Sequence, residues 1–376
     1  MSDLAVNRLA RLRDRMANTN TDLVALGPGS HMQWLLGLNP HGDERPVMAI
    51  VTVDHVGVLM PLLNAEASRA QCADVPFYEW SDADGPQGAL TQLLTDANAL
   101  RSGLNVVLDE MMRTDFSFLL LDQLDAPTHR FTLDTVGFLR AEKDAEERAL
   151  LRDSALLNDA AFERAFSALR TGMTERDVRD IIVNHYKENG AQAAFCIVAF
   201  GKNSAYPHHH TSADTLQPDM AVLIDAGCRL QGYPSDMTRC AWYGDTPSVR
   251  FNEIAGIVEQ AAKSAETAAM PGTLCSDVDK AARTVIENAG YGPEYLHRTG
   301  HGLGVDVHEP PYIASNYPEP LRVGNVFSIE PGIYLNDEFG IRLEDVAFLH
   351  QDGVEILSEM PRTVRLLPVK DCNGIA

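Results

Sequence analysis

"LRTGMTERDVRDIIVNHYKENG", residues 169–190, returns one hundred residues later as "AMPGTLCSDVDKAARTVIENAG", residues 269–290. The two align without a gap. Gly172 meets Gly272, Asp177 meets Asp277, Val178 meets Val278, and Gly190 meets Gly290. Each segment follows a helical stretch, Ala155–Leu169 and Ile254–Ala269, and each is followed by a pair of strand-like runs. A repeated helix–helix–strand–strand order predicts two halves of one domain related by an internal pseudo-two-fold.

The strand pairs carry an anomaly. In "AVLIDAGCRLQGYPSDMTRCAWYG", residues 221–244, an apolar run ends at Asp225 and the return strand carries Asp236. In "NVFSIEPGIYLNDEFGIRLEDVAFLH", residues 325–350, Glu330 ends one run and Glu344 sits in the returning strand. Carboxylates are rare in apolar strands because an unpaired buried charge is expensive. One per pair reads as an ion pair or a turn cap. Four on a repeated frame read as a site between the halves.

"GHGLGVDVHEPP", residues 300–311, adds His301 and His308 in a stretch with little helix or strand propensity. Four carboxylates and one imidazole match two divalent cations in charge. The oxygen-rich set suits Mn²⁺, Co²⁺, Fe²⁺ or Zn²⁺ and is too rich in carboxylate for a structural zinc cage. Two such ions about 3.5–4 Å apart can share a hydroxide nucleophile and polarise a carbonyl. The glycines around His301 would let backbone approach closely.

The rest of the chain sets bounds. Its 376 residues exceed what one core serves, so two domains are expected, 1–138 and 139–376. The first alternates helical and strand patterns and reads as an α/β domain. "RAEKDAEERALLRDSALLNDAAFERAFSALR", residues 140–170, opens the second with a long charged helical pattern. With 53 acidic against 31 basic residues the formal charge is −22, which argues against nucleic acid or an anionic membrane as partner. Six scattered cysteines (Cys72, Cys196, Cys228, Cys240, Cys275, Cys372) form no C-x-x-C pair, so neither zinc cage nor disulfide framework is indicated. No signal-like apolar core and no bilayer-length apolar run is present, and a cytoplasmic location is the expectation.

"LIDAGCRLQGYPSDMTR", "HRTGHGLGVDVHEPP", "FSIEPGIYL" and "GIRLEDVAFL" resemble, in order and spacing, the signatures of the pita-bread metallopeptidases, in the branch of Xaa-Pro dipeptidase (prolidase) and Xaa-Pro aminopeptidase. The resemblance runs over about residues 140–366. "SHMQWLLGLNPHGDERP" is similar, more loosely, to the creatinase-type amino-terminal domain of that family. The implied fold is an α/β creatinase-type domain followed by an α+β pita-bread domain. The resemblance implies that Asp225 binds one metal, His301 and Glu330 the second, and that Asp236 and Glu344 bridge. It implies Glu330 as general base, His208 in "NSAYPHHHTSAD" as the group steadying the intermediate, and His308 as a substrate contact. Neighbouring His209 and His210 leave that register open. Tyr233 and Arg342 match positions near substrate and metal shell. A homodimer is implied too, with Trp34, His41 and Arg45 as candidates to reach a partner's site; Trp34 reads equally well as core and His41 as a loop residue. The implied substrate is a short peptide with proline after the scissile bond. Dipeptidase, aminopeptidase and carboxypeptidase readings share the same five ligands and stay open. Creatinase-like amidine hydrolysis and a non-catalytic binding module are the rivals, and both fit poorly with a full carboxylate set.

Overall fold

The computed structural model describes residues 3–72 and 74–370; Cys372 lies outside them. The chain divides into two compact units, Met1–Arg140 and Ala141–Ala376. The expected boundary before residue 139 lies within the helix Val136–Ala141, two residues ahead of this division and beside the start of the charged run at Arg140.

The first unit holds helices α1 (Asp3–Asn18), α2 (Ser30–Leu36), α3 (Leu62–Arg69), α4 (Gln87–Asp96), α5 (Thr114–Leu121) and α6 (Val136–Ala141). Its six strands are β1 (Leu23–Leu26), β2 (Met48–Val51), β3 (Val56–Pro61), β4 (Phe77–Trp80), β5 (Asn105–Leu108) and β6 (Thr128–Phe131). They form one mixed sheet in the order β4-β3-β2-β1-β5-β6. β1 and β2 are buried along their whole length, which is why they read as apolar runs with no alternation. Trp34 is 2% exposed with the Arg8 guanidinium 4.7 Å from its ring centroid. It is a core residue of this unit, the second of the two readings open to it, and not a reaching contact.

The second unit begins with α7 (Ala145–Ala168) and α8 (Glu175–Glu188), then β7 (Gln192–Phe200), β8 (Met220–Leu230), β9 (Tyr233–Pro234) and β10 (Met237–Tyr243). α9 (Val249–Ala268) and α10 (Cys275–Asn288) open the second half. β11 (Gly300–Gly302), β12 (Glu309–Ile313), β13 (Val326–Ile329), β14 (Gly332–Leu335), β15 (Phe339–Arg342), β16 (Asp345–His350), β17 (Gly353–Ile356) and β18 (Arg365–Leu367) complete it. α8 and α10 start and stop one hundred residues apart. The aligned Gly172 and Gly272 both sit at φ 88°, a conformation that favours glycine. The predicted repeat is therefore present in the backbone.

Capping boxes set the helix starts: Asp144 with Glu147 for α7 and Thr174 with Asp177 for α8. One sheet runs β18-β10-β8-β7 with β9 on β8, and the other runs β12-β11-β13-β16-β17. Strand parity decides what each face carries. On β8, Val222, Ile224 and Ala226 pack with α7 and α8, while Ala221 and Leu223 pack with the α9/α10 core. Asp225 shares the second parity. On β10, Met237, Ala241 and Tyr243 take the first face, Cys240 and Trp242 the second. Asp236, just before β10, shares the second parity too.

Two local expectations change. β8 does not end at Asp225 but continues to Leu230. The second strand pair is four strands: β13 pairs β16, and β14–β15 form a separate two-stranded ribbon. The break falls at Glu330-Pro331, where proline has no N–H to continue a ladder.

Candidate metal centre and cleft

All five carboxylate and imidazole candidates converge in the second unit. Asp225 lies in the middle of β8, paired with Thr238. Glu330 follows β13 directly and Glu344 precedes β16 directly. Ligand-capable atoms of Asp225, Asp236 and Glu344 lie within 4.8 Å of one another, as do those of His301, Glu330 and Glu344. Asp236, His301 and His308 form a third such group. His308, expected against substrate only, thus stands within reach of the same cluster. Its ring centroid is 3.9 Å from that of His301.

The stretch with little strand propensity forms β11, a central strand between β12 and β13. Glycine makes this possible. A Cβ at Gly300 would collide with the Ser328 carbonyl, and one at Gly302 with the backbone of Glu309 and Pro310. The first half repeats the device: a Cβ at Gly227 would strike the Ser235 carbonyl. His301 is thereby pressed between two strands, 3.3 Å from Glu330 Oε1 and 3.6 Å from Asp236 Oδ2 through its Nε2.

The protonation of this cluster tests whether a cation belongs there. His301 Nδ1 meets the Gly302 carbonyl at 3.1 Å. A carbonyl only accepts, so Nδ1 carries the hydrogen and donates. Burial, then the neighbouring His308, pushes the His301 pKa down to about 3, so the ring is neutral and Nε2 has a bare lone pair. That lone pair faces carboxylate oxygens. Burial holds Asp236 and Glu344 well above the usual carboxylate range, and neighbouring carboxylates push the same way. Burial also lifts Glu330 to about 7, against the opposing pull of Arg342 and with Asp225 adding to the rise. Asp225 Oδ1 is buried without a hydrogen-bond partner. A bare imidazole lone pair among crowded carboxyl groups that burial forces to hold protons, with an orphaned Asp225 oxygen among them, is what divalent cations resolve. The donor set fits such ions.

Arg342 stands beside this cluster. It was expected near substrate, and it does line the cleft, but its donors are engaged elsewhere. NH2 donates to Asp225 Oδ2 at 2.6 Å, Nε to Thr238 Oγ1 at 2.9 Å, and NH1 to the Tyr334 hydroxyl at 2.8 Å. Thr238 Oγ1 in turn donates to Glu344 Oε2 at 2.7 Å. Arg342 therefore orients two of the carboxylates, Asp225 directly and Glu344 through Thr238, while lining the cleft. The Tyr334 hydroxyl passes its own hydrogen to His297 Nε2 at 2.8 Å, and His297 Nδ1 donates to the Arg298 carbonyl at 2.7 Å. Burial pushes His297 down to about 4, so it acts as a neutral relay end. His297 and Tyr334 lie within the quoted motifs, but nothing in local order marks either, since their roles rest on hydrogen bonds to Arg342 and Arg298.

A cleft of about 1320 Å³ opens over the cluster. His208 and His308 line it together with apolar Phe195, Ile197 and Val307, and with Arg298. Arg298 lies 4.7 Å over the Tyr312 ring. Of the triple histidine only His208 lines the cleft. His209 is turned to Glu175 at 2.7 Å. Tyr233 does not line it. Its hydroxyl donates to Glu147 at 3.0 Å, because β9 folds back on Arg229 and Leu230 at the far end of β8. The expected substrate contact at Tyr233 is corrected on that ground.

Metallopeptidase family M24 matches residues 149–351. The chain is 32% identical to an Xaa-Pro dipeptidase of Lactobacillus delbrueckii subsp. lactis, over 96% of this chain and 100% of that one. Among solved structures it resembles a recombinant prolidase from Thermococcus sibiricus, with 30% identity, a TM-score of 0.89, and 98% and 100% of the two chains covered. It also resembles dipeptidase PepE from Mycobacterium ulcerans, with 29% identity, a TM-score of 0.91, and 97% and 98% covered.

Proposed function

The chain belongs to metallopeptidase family M24, and from that premise we propose that it is an Xaa-Pro dipeptidase. The observation that carries the reading is the set of buried Asp225, Asp236, His301 and Glu344 with half-buried Glu330, all lining a peptide-sized cleft. These five residues would hold two divalent cations, Mn²⁺ being the first choice for so carboxylate-rich a set. When bound, the ions supply an acidified water and Lewis-acid polarisation of a carbonyl.

The chain's own residues do the rest. Glu330 takes the proton of the attacking water and returns it toward the departing proline nitrogen, as a general base and then acid. His208 steadies the carbonyl oxygen as charge develops on it, and His308 contacts the peptide across from it. Arg342 keeps Asp225 and, through Thr238, Glu344 oriented. An Xaa-Pro bond is a tertiary amide without an N–H. An apolar wall of Phe195, Ile197 and Val307 suits such a bond, since it offers no group that needs that hydrogen. Arg298 brings a cation to the cleft, and a dipeptide's free carboxylate is its natural partner. This favours a dipeptidase over an aminopeptidase, which must leave room beyond proline. The reading includes a homodimer in the cytoplasm. The free cysteines Cys72, Cys196, Cys228, Cys240 and Cys275 support a reducing compartment.

The deciding experiment is cleavage by metal-stripped protein, with and without Mn²⁺, Co²⁺ or Zn²⁺, of Ala-Pro, Ala-Pro-Ala, Ala-Ala-Pro and Ala-Ala. Metal-dependent cleavage of Ala-Pro alone is expected. Release of the first residue from Ala-Pro-Ala would make it an aminopeptidase, and release of the last residue from Ala-Ala-Pro a carboxypeptidase. Failure to bind metal would overturn the reading of all five ligands.

A further inference from the structure

Glu175 opens α8 and is fully buried, yet the partners of its carboxylate all lie outside its own helix. Oε1 accepts from the Phe200 N–H at 2.9 Å and from Asn203 Nδ2 at 2.9 Å. Oε2 accepts from His209 Nε2 at 2.7 Å and from the Ser212 N–H at 2.7 Å. The helix start adds two backbone bonds to the same loop, Glu175 N–H to the Asp214 carbonyl at 3.1 Å and Arg176 N–H to the Ser212 carbonyl at 3.2 Å. One side chain thus gathers the end of β7 and both limbs of the loop that carries His208.

The consequence falls on the triple histidine. With the His209 ring drawn to α8, its neighbour His208 is the one that lines the cleft. From the other side the Pro207 carbonyl accepts from Arg342 NH1 at 3.4 Å, and Ser204 Oγ accepts from the Gly340 N–H at 2.9 Å. The second half contains a matching device. Asp279, fully buried on α10, accepts from the Thr299 N–H at 3.0 Å and the Thr299 hydroxyl at 2.8 Å, two residues before His301. Arg283 anchors that carboxylate at 3.0 and 3.1 Å. In each half a buried helix carboxylate fixes the segment that bears a cleft histidine.

We propose that Glu175 is a positioning residue for the reaction: it holds the 200–212 segment so that His208 faces the cleft, and it affects turnover through His208. The proposal rests on the reading of His208 as the group that meets the substrate oxygen. A carboxylate that merely stabilised the fold would slow nothing specifically, and its loss would add to the loss of His208.

The test uses the metal-loaded full chain and Ala-Pro. E175Q is expected to lower kcat about tenfold, with KM changed less than about threefold and metal content unchanged. Amide exchange across residues 200–212 should speed up at least about tenfold. H208A should lower kcat by itself, and E175Q/H208A should match H208A. H209A should reproduce part of the E175Q loss, and H209Q, whose amide can donate in place of the ring N–H, should recover it. Full turnover in E175Q, or an E175Q loss that adds to that of H208A, overturns the positioning role alone. Full turnover in H208A instead overturns the reading of His208, and the proposal with it. Should E175Q fail to fold, equal kcat in wild type, H209A and H209Q overturns the proposal.

Discussion

Glu330 is asked to be both ligand and base, and its environment suits it to both. At about 7 in the metal-free protein it is protonated in mild acid and ionised above neutrality. Its pKa is raised above the ordinary 4.5 of the side chain, so a cation must displace a proton at any pH below about 7. Metal affinity is therefore expected to fall as pH drops through 7, with proton release visible by calorimetry in buffers of different ionisation heat. E330Q keeps the shape and loses the base; kcat should fall by about 10²–10⁴ with the thermal transition retained. Tyr233 makes the opposite case. Its hydroxyl serves Glu147 and not the cleft, so Y233F should leave kcat/KM within about twofold while stability drops by about 1 kcal/mol. Arg298 lines the cleft, and on the proposed dipeptidase reading R298M should raise KM for Ala-Pro about tenfold or more, because a charge-assisted bond to the substrate carboxylate would be lost.

Among the elements, β11 is the one that local propensity argues against. Three residues, two of them glycine, form a central strand because neighbours approach too closely for a side chain at Gly300 or Gly302. Substituting G300A should therefore lower stability by about 3 kcal/mol or more, and metal retention should fall with it, since His301 is the next residue. Thermal melting with metal analysis on the same samples checks both. G256A, on the exposed side of α9 with open space around it, is the control; it should be neutral or slightly stabilising.

For the molecule as a whole, the carboxylate cluster is a liability without metal. Groups whose folded pKa is raised contribute stability below their ordinary pKa and lose it as pH rises through the folded value. For Glu330 that window runs from about 4.5 to about 7, and Asp236 and Glu344 shift in the same direction. Bound cations reverse the effect. The gap in Tm between Mn²⁺-loaded and stripped protein should widen from pH 5.5 to pH 8, and equal gaps would remove the charge argument for the site. Much of this was legible in the chain itself. The hundred-residue repeat announced the two halves, and carboxylates at Asp225, Asp236, Glu330 and Glu344 announced a site, because both leave their trace in local order and in residues that do not belong in an apolar strand. What local order could not carry was direction and partnership. Arg342 and Tyr334 meet across the β14–β15 ribbon, and His297 joins them from 37 residues before Tyr334. Tyr233 turns to Glu147, and His209 to Glu175, through contacts with helices that precede them by tens of residues. A sequence states which groups are present; only the packed strands and helices decide which of them face one another, since hydrogen bonds and charge act over a few ångströms of space and take no account of separation along the chain.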